Sequence, residues 1–77
     1  MKLKVEAGLD GRLPKSFEWH GRRHKVISIG RRWNVDDEHF MLVMTSQDNI
    51  FELAFHPLKQ TWRLLRTPQD FGKQSFV

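Results

Sequence analysis

Apolar and polar residues alternate along much of the chain, in short runs separated by turn-forming residues. Residues 16–33 show the pattern most clearly, because Phe17 and Trp19 alternate with polar neighbours. Gly21 follows, and a second segment, rich in β-branched residues, ends at Trp33. Alternation, a glycine and renewed alternation are typical of a β-hairpin. The sequence therefore predicts a hairpin at the centre of the fold.

Two registers of this hairpin fit the sequence. A two-residue loop, Gly21-Arg22, suits a type II′ turn, which favours glycine in its first position, and it pairs Phe17 with Val26. A three-residue loop over 21–23 pairs Phe17 with Ile27 instead. A shift of one residue moves every side chain to the opposite face, and exposing two isoleucines costs about 3 kcal/mol. We therefore predict the longer loop, accompanied by a β-bulge.

The predicted register assigns each side chain of the hairpin to a face. Aromatic rings and isoleucines would form the core, and guanidinium groups would reach solvent. The inner face holds Phe17, Trp19, Ile27, Ile29 and Trp33, with Lys25 and Arg31 at its ends, and the outer face holds Glu18, His24, Val26, Ser28 and Arg32.

Four further strands are predicted, at residues 2–6, 39–46, 50–56 and 61–66. The segment 39–46 is apolar in both phases, which is typical of a central strand, although Asp36 could equally cap a helix there. Valine, threonine and the short length favour the strand.

The strand pattern also predicts which side chains face the core. In 50–56 the inward residues are Phe51, Leu53 and Phe55, with Glu52 outward, and in 61–66 Trp62 and Leu64 lie opposite Arg63. Five or six short strands with tight connections predict a mainly β fold, a small antiparallel meander that forms a curled sheet or a partly open barrel.

The length of 77 residues indicates a single small β domain over 1–77. We expect residues 1–15 to form a strand and a partly mobile loop, and residues 67–77 to form an irregular tail. Because so short a chain buries a small core, pairing with a second copy would add stability, and a homodimer is one expectation. Apolar residues of the tail would dock on the core or on another chain, namely Phe71, Phe76 and Val77.

The composition indicates the cellular compartment in which the protein is expected. There is no cysteine, so disulfides and thiolate chemistry are excluded. No apolar run approaches the roughly 20 residues of a membrane span, and the first residues do not resemble a secretory signal. These features predict a cytoplasmic protein that does not associate with membranes.

Charge is distributed unevenly along the chain. Residues 1–33 hold nine Lys or Arg and three Asp or Glu, a net charge of +6, and residues 34–77 carry a net charge of −2. Such asymmetry indicates either an anionic partner or a surface that only confers solubility. The candidate nucleic-acid-binding residues are Arg22, Arg23, Lys25, Arg31, Arg32 and Trp33, with the arginines contacting phosphates and Lys25 steering the approach.

The run from Phe17 to Val26, F-x-W-x-G-R-x-H-x-V, and the later Arg32-Trp33 resemble a bacterial family of small domains of unknown function. The family pattern is F-x-W-R-G-R-R-Y-x-V followed by R-W, so His20 and His24 depart from it. Phe51-Glu52-Leu53 and Trp62-Arg63-Leu64 extend the resemblance over about residues 14–66. It implies a β fold in a bacterial protein and transfers no catalytic residue. Some members lie near DNA-repair polymerase genes, which favours nucleic acid.

Catalytic and metal sites are weakly indicated. His20 and His24 flank the hairpin turn and would face each other, but a structural zinc site needs four nitrogen or sulfur ligands. The acidic cluster 36–38 beside His39 lies in a predicted loop, where carboxylates are solvated.

We therefore expect no enzyme activity, no cofactor and no metal. The predicted function is a binding module that contacts single-stranded nucleic acid through the basic hairpin. The alternative is a protein-interaction or homodimerisation module, which would use a sheet edge and the C-terminal aromatic residues to bind an acidic protein or a second copy.

Overall fold

The computed structural model describes residues 2–8 and 13–72 and shows a closed, six-stranded antiparallel β-barrel. Each strand pairs with the next in sequence, and the first also pairs with the last. This confirms the predicted mainly β meander, and the segment predicted at 39–46 forms the strand Glu38–Thr45 rather than a helix. The elements are β1 Lys2–Ala7, β2 Pro14–Trp19, β3 Arg22–Val35, β4 Glu38–Thr45, β5 Ile50–His56, β6 Thr61–Arg66 and α1 Pro68–Gly72.

The barrel interior is filled by one aromatic and aliphatic cluster. Phe17, Phe51 and Leu53 are fully buried at its centre, and Trp62 and Leu64 close it from β6. Each such side chain contributes about 1.5–3 kcal/mol through burial. The inward residues predicted for β5 and β6 are confirmed.

The turn of the central hairpin lies one residue earlier than both predicted registers place it. His20 and Gly21 occupy the turn with φ of 52° and 73°, the left-handed pair that a type I′ turn requires. Trp19 therefore pairs with Arg22. The three-residue loop was wrong because a histidine can adopt the left-handed conformation, which leaves glycine free for the second position.

A bulge in β3 overturns the predicted position of Ile27. The register shifts between Val26 and Ser28, so Ile27 is the extra residue and is 53% exposed. Val26 and Ile29 both pack against the core. Since the bulge bends the strand locally, β3 can bury these two residues and leave the isoleucine between them in solvent.

His24, rather than Ile27, lies opposite Phe17. The histidine is buried, although the predicted register placed it on the outer face. Its ring stacks on Phe17 with 5.5 Å between the centroids, and the rings of Trp19 and Phe51 lie nearby. The shorter loop reverses the phase of β3 at this point, which is why the prediction was wrong.

A second bulge, between Ile29 and Arg32, reverses the phase again. Arg32 then pairs with the core residue Met41, and Trp33 pairs with Phe40 on the opposite face. The sequence predicted Trp33 inward and Arg32 outward, so the strand face of both residues was wrong, although the Arg32 side chain is exposed as predicted. A bulge inserts one residue into one strand only, so every later side chain of that strand changes face.

Outside the hairpin, two features concern the C-terminal part of the barrel. Glu52 points away from the core as predicted, yet it is buried and accepts a 2.6 Å hydrogen bond from Arg66 Nε. Helix α1 follows, and the Arg66 guanidinium lies 4.7 Å from the centre of the Phe71 ring.

The predicted docking residues Phe76 and Val77 lie outside the described residues, as does part of the N-terminal loop. Within residues 2–8 and 13–72, no helix is long and apolar enough to cross a membrane.

Candidate nucleic-acid interface

The six predicted site residues all lie on β3, but they form two separate groups. β3 is 14 residues long, pairs with β2 through its first residues and pairs with β4 from Val26 onward. At about 3.3 Å per residue, Arg22 and Arg31 are separated by about 30 Å along the strand. The structure therefore does not bring the two arginine pairs into one surface.

The first group lies in a region of mixed charge. Arg23 donates a 2.9 Å hydrogen bond to Ser16 Oγ and lies 3.4 Å from Glu6 Oε1. Glu18 pairs directly with Arg23 across the strands, and Lys25 is exposed on the next strand position of the same face. Glu6 and Glu18 offset part of this charge, whereas Arg22 and Lys25 form no ion pair among the described residues. The first group is therefore a less favourable surface for phosphates than one without carboxylates.

The second group, near the end of the β3–β4 hairpin, combines aromatic rings with a cation. Trp33 and Phe40 are half-buried, and their rings are nearly parallel, with an interplanar angle of 11° and centroids 5.7 Å apart. The Arg31 guanidinium carbon lies 5.4 Å from the centre of the Trp33 ring. We call Arg31, Trp33 and Phe40 the stacking face.

The cations of this second group are not neutralised. Arg31 and Arg32 are exposed, and neither forms an ion pair with a carboxylate of the described residues. By contrast, Arg63 and Arg66 are both engaged by glutamates. The positive charge near Trp33 is thus available to an anionic ligand.

A groove adjoins the stacking face and shares Trp33 and Phe40 with it. Its volume is about 380 Å³, and its lining contains no carboxylate among the described residues. The lining residues are Leu13, Arg32, Trp33, Asn34, His39, Phe40 and Met41. His39 Nδ1 lies 2.6 Å from Asn34 Oδ1, so the carboxamide oxygen accepts a hydrogen bond from the imidazole.

An ion pair attaches this end of the hairpin to the barrel. Arg63 Nη2 lies 2.7 Å from both carboxylate oxygens of Glu38, and Arg63 Nε lies 3.2 Å from Oε2. Because the Arg63 side chain is 44% exposed, the pair contributes only about 0.2–1 kcal/mol. The ion pair mainly holds Glu38, the first residue of β4, in position against β6.

The histidines are placed differently from the arrangement that a metal site would need. His20 stacks on Trp19 in the turn, with centroids 4.0 Å apart, while His24 is buried, so the two do not face each other as predicted. His39 bonds to Asn34, and His56 Nδ1 accepts from the backbone nitrogen of Lys59. In the described part of the chain, no three His, Cys, Asp or Glu side chains form a possible metal cluster.

Sequence reasoning missed three residues of this region: Phe40, Asn34 and His39. A signal for Phe40 existed, because a two-residue turn at Asp36-Asp37 would pair it with Trp33, but the sequence predicted a longer acidic connection there. Comparison with protein-family models, with curated proteins and with solved structures found no match.

Proposed function

We propose that this protein binds single-stranded nucleic acid, with one base on the stacking face and phosphates on Arg31 and Arg32. The observation that carries the proposal is the half-buried Trp33 ring, supported by Phe40 and covered by an arginine with no carboxylate partner. Proteins that bind single strands without strong sequence preference combine these two features, aromatic rings for bases and cations for the backbone.

The energies favour displacement of Arg31 from the Trp33 ring by a base. An exposed cation–π contact is worth about 0.5–1 kcal/mol. Stacking of a base on an aromatic side chain is worth about 1–3 kcal/mol. The exchange is therefore favourable, and it releases the Arg31 guanidinium to contact a phosphate of the same strand.

The sharpest test compares two arginines on the same strand. Fluorescence anisotropy with a labelled oligothymidine of about 12 nucleotides measures affinity between about 50 and 200 mM salt. Arg31→Gln should reduce the slope of log affinity against log salt by about 0.7, the value for one phosphate contact on a single strand. Arg22→Gln removes the same charge about 30 Å away and should leave the slope unchanged.

The aromatic contribution is tested by Trp33→Leu, which should weaken binding roughly 10-fold, as the loss of one stacked base predicts. Wild-type protein that does not bind the oligonucleotide at the lowest salt contradicts the proposal. Equal effects of Arg22→Gln and Arg31→Gln would also contradict it, because they would indicate that only net charge matters.

A protein partner is the second candidate function, supported by the outer edge of β3. Among the described residues, the segment from Ser28 to Val35 pairs only with β4, and both Ile27 and Val35 are at least half exposed. An edge of this kind can accept a strand from an acidic protein or from a second copy. A mass that increases with protein concentration in light scattering would favour the second copy.

A further inference from the structure

We infer that the groove beside the stacking face binds one nucleotide of the strand, with its phosphate on Arg32 and a hydroxyl or amino donor on His39. This inference rests on the proposed function, and it extends the stacking face, because Trp33 and Phe40 also line the groove. The groove volume of about 380 Å³ lies within the range of small-molecule sites, about 300–1,000 Å³. An isolated cation on a flat surface would select no particular ligand, whereas a groove of this size accommodates a base, a sugar and a phosphate.

Arg32 provides the phosphate contact. Its guanidinium is exposed and has no carboxylate partner in the described residues, and it is the only arginine or lysine among the residues lining the groove. A guanidinium binds a phosphate through two parallel hydrogen bonds. Because the described lining contains no Asp or Glu, nothing there competes with the phosphate for Arg32.

His39 provides an acceptor of fixed orientation. Asn34 Oδ1 can only accept a hydrogen bond, so Nδ1 of His39 must carry the proton in the 2.6 Å contact. In the neutral ring Nε2 is then an acceptor, which suits a sugar hydroxyl or a base amino group. The Asn34 amide nitrogen is a further donor in the groove.

The remaining surface is apolar. Leu13 and Met41 lie in the lining, and Met41 is also part of the barrel core. A thioether and an aliphatic side chain provide contact for the face of a base without requiring hydrogen bonds. Donor, acceptor and apolar surface together match a nucleotide better than they match a simple anion.

The test uses the full chain and free adenosine monophosphate, observed through NMR signals of the His39 ring and the Asn34 side-chain amide. We expect saturable shifts of these signals. Arg32→Gln should weaken binding at least 5-fold, as expected for the loss of one charge-assisted contact of about 1 kcal/mol or more. Arg22→Gln, the control with the same charge change, should have no effect. Inorganic phosphate that gives the same shifts at the same concentration would overturn the nucleotide assignment.

Variants of residues that belong to only one of the two proposals distinguish them, namely Arg31 for the stacking face and His39 for the groove. If Arg31→Gln and Trp33→Leu weaken oligonucleotide binding while His39→Leu changes the affinity for neither the oligonucleotide nor adenosine monophosphate, the groove inference is wrong and the proposed function stands. If adenosine monophosphate shifts the His39 and Asn34 signals but Arg31→Gln leaves the salt dependence of oligonucleotide binding unchanged, the phosphate contact proposed at the stacking face is wrong and the groove stands.

Discussion

At the scale of single residues, His24 is unusual because a polar ring lies in an aromatic environment. It is 8% exposed and contacts the rings of Phe17, Trp19 and Phe51. Its Nε2 atom is buried and has no hydrogen-bond partner among the described residues. A buried polar atom that lacks a partner loses its hydrogen bonds to water on folding, at a cost of about 1–3 kcal/mol. The ring contributes packing, and its nitrogen reduces stability.

Replacement of His24 by phenylalanine should therefore stabilise the protein. The phenyl ring keeps the aromatic contacts and removes the unpaired nitrogen, so we expect the free energy of unfolding to rise by about 1 kcal/mol. Urea denaturation of wild type and His24→Phe measures the difference. His56→Phe is the control, because His56 Nδ1 accepts a hydrogen bond from the Lys59 backbone and no gain is expected there. A less stable His24→Phe protein would contradict this account.

The two bulges of β3 determine the arrangement at the scale of elements. The first leaves Ile27 in solvent between two residues that contact the core, and the second places Arg32 rather than Arg31 opposite Met41, and Trp33 opposite Phe40. Without the second bulge, residues 31 and 33 would lie on the same face as Ile29, and the Trp33 side chain would point into the barrel. The stacking face and the groove thus exist because one strand has extra residues that its partner lacks.

A pair of isoleucine variants tests the first bulge. Ile27→Ala should change stability by less than about 0.5 kcal/mol, because the side chain is mostly in solvent. Ile29→Ala should cost about 2 kcal/mol, because its side chain packs against the core. Thermal or urea unfolding gives both values. Equal losses for the two variants would indicate that both side chains are buried, as the original register required.

At the scale of the whole molecule, the barrel closes at a short seam. Within the described residues, β1 and β6 share two register pairs, Lys2 with Arg63 and Leu3 with Trp62, whereas β4 and β5 share six. In this part of the chain, every other pair of neighbouring strands shares more register pairs than β1 and β6 do. The seam should therefore open before the centre of the sheet does.

Hydrogen exchange and one core variant test this expectation. Amides of β1 should exchange faster than those of β4 and β5, and Leu3→Ala should lower stability by about 2–3 kcal/mol, because Leu3 belongs to the core at the seam. Leu58→Ala is the matched control, since Leu58 is 80% exposed in a turn and its loss should have little effect. Slower exchange in β1 than in β5 would contradict a weak seam.

Local pattern was sufficient for the strands and their buried residues. Alternation with a period of two is a property of neighbouring residues, so the bounds of β5 and β6 and the inward positions of Phe51, Leu53 and Trp62 followed from the sequence. The antiparallel order and a count of five or six strands followed from the short connections. The net charge and the absence of cysteine could also be read directly from the sequence.

Register and the pairing of charges were decided only by the tertiary structure. A bulge depends on which residue of a distant strand lies opposite, so the sequence of β3 alone could not place Trp33 opposite Phe40 or Arg32 opposite Met41. Similarly, Glu6 is distant in sequence from Arg23, yet the sheet brings the two together. The chain specifies its strands locally, and contacts between strands then determine which of its arginines remain available to a ligand.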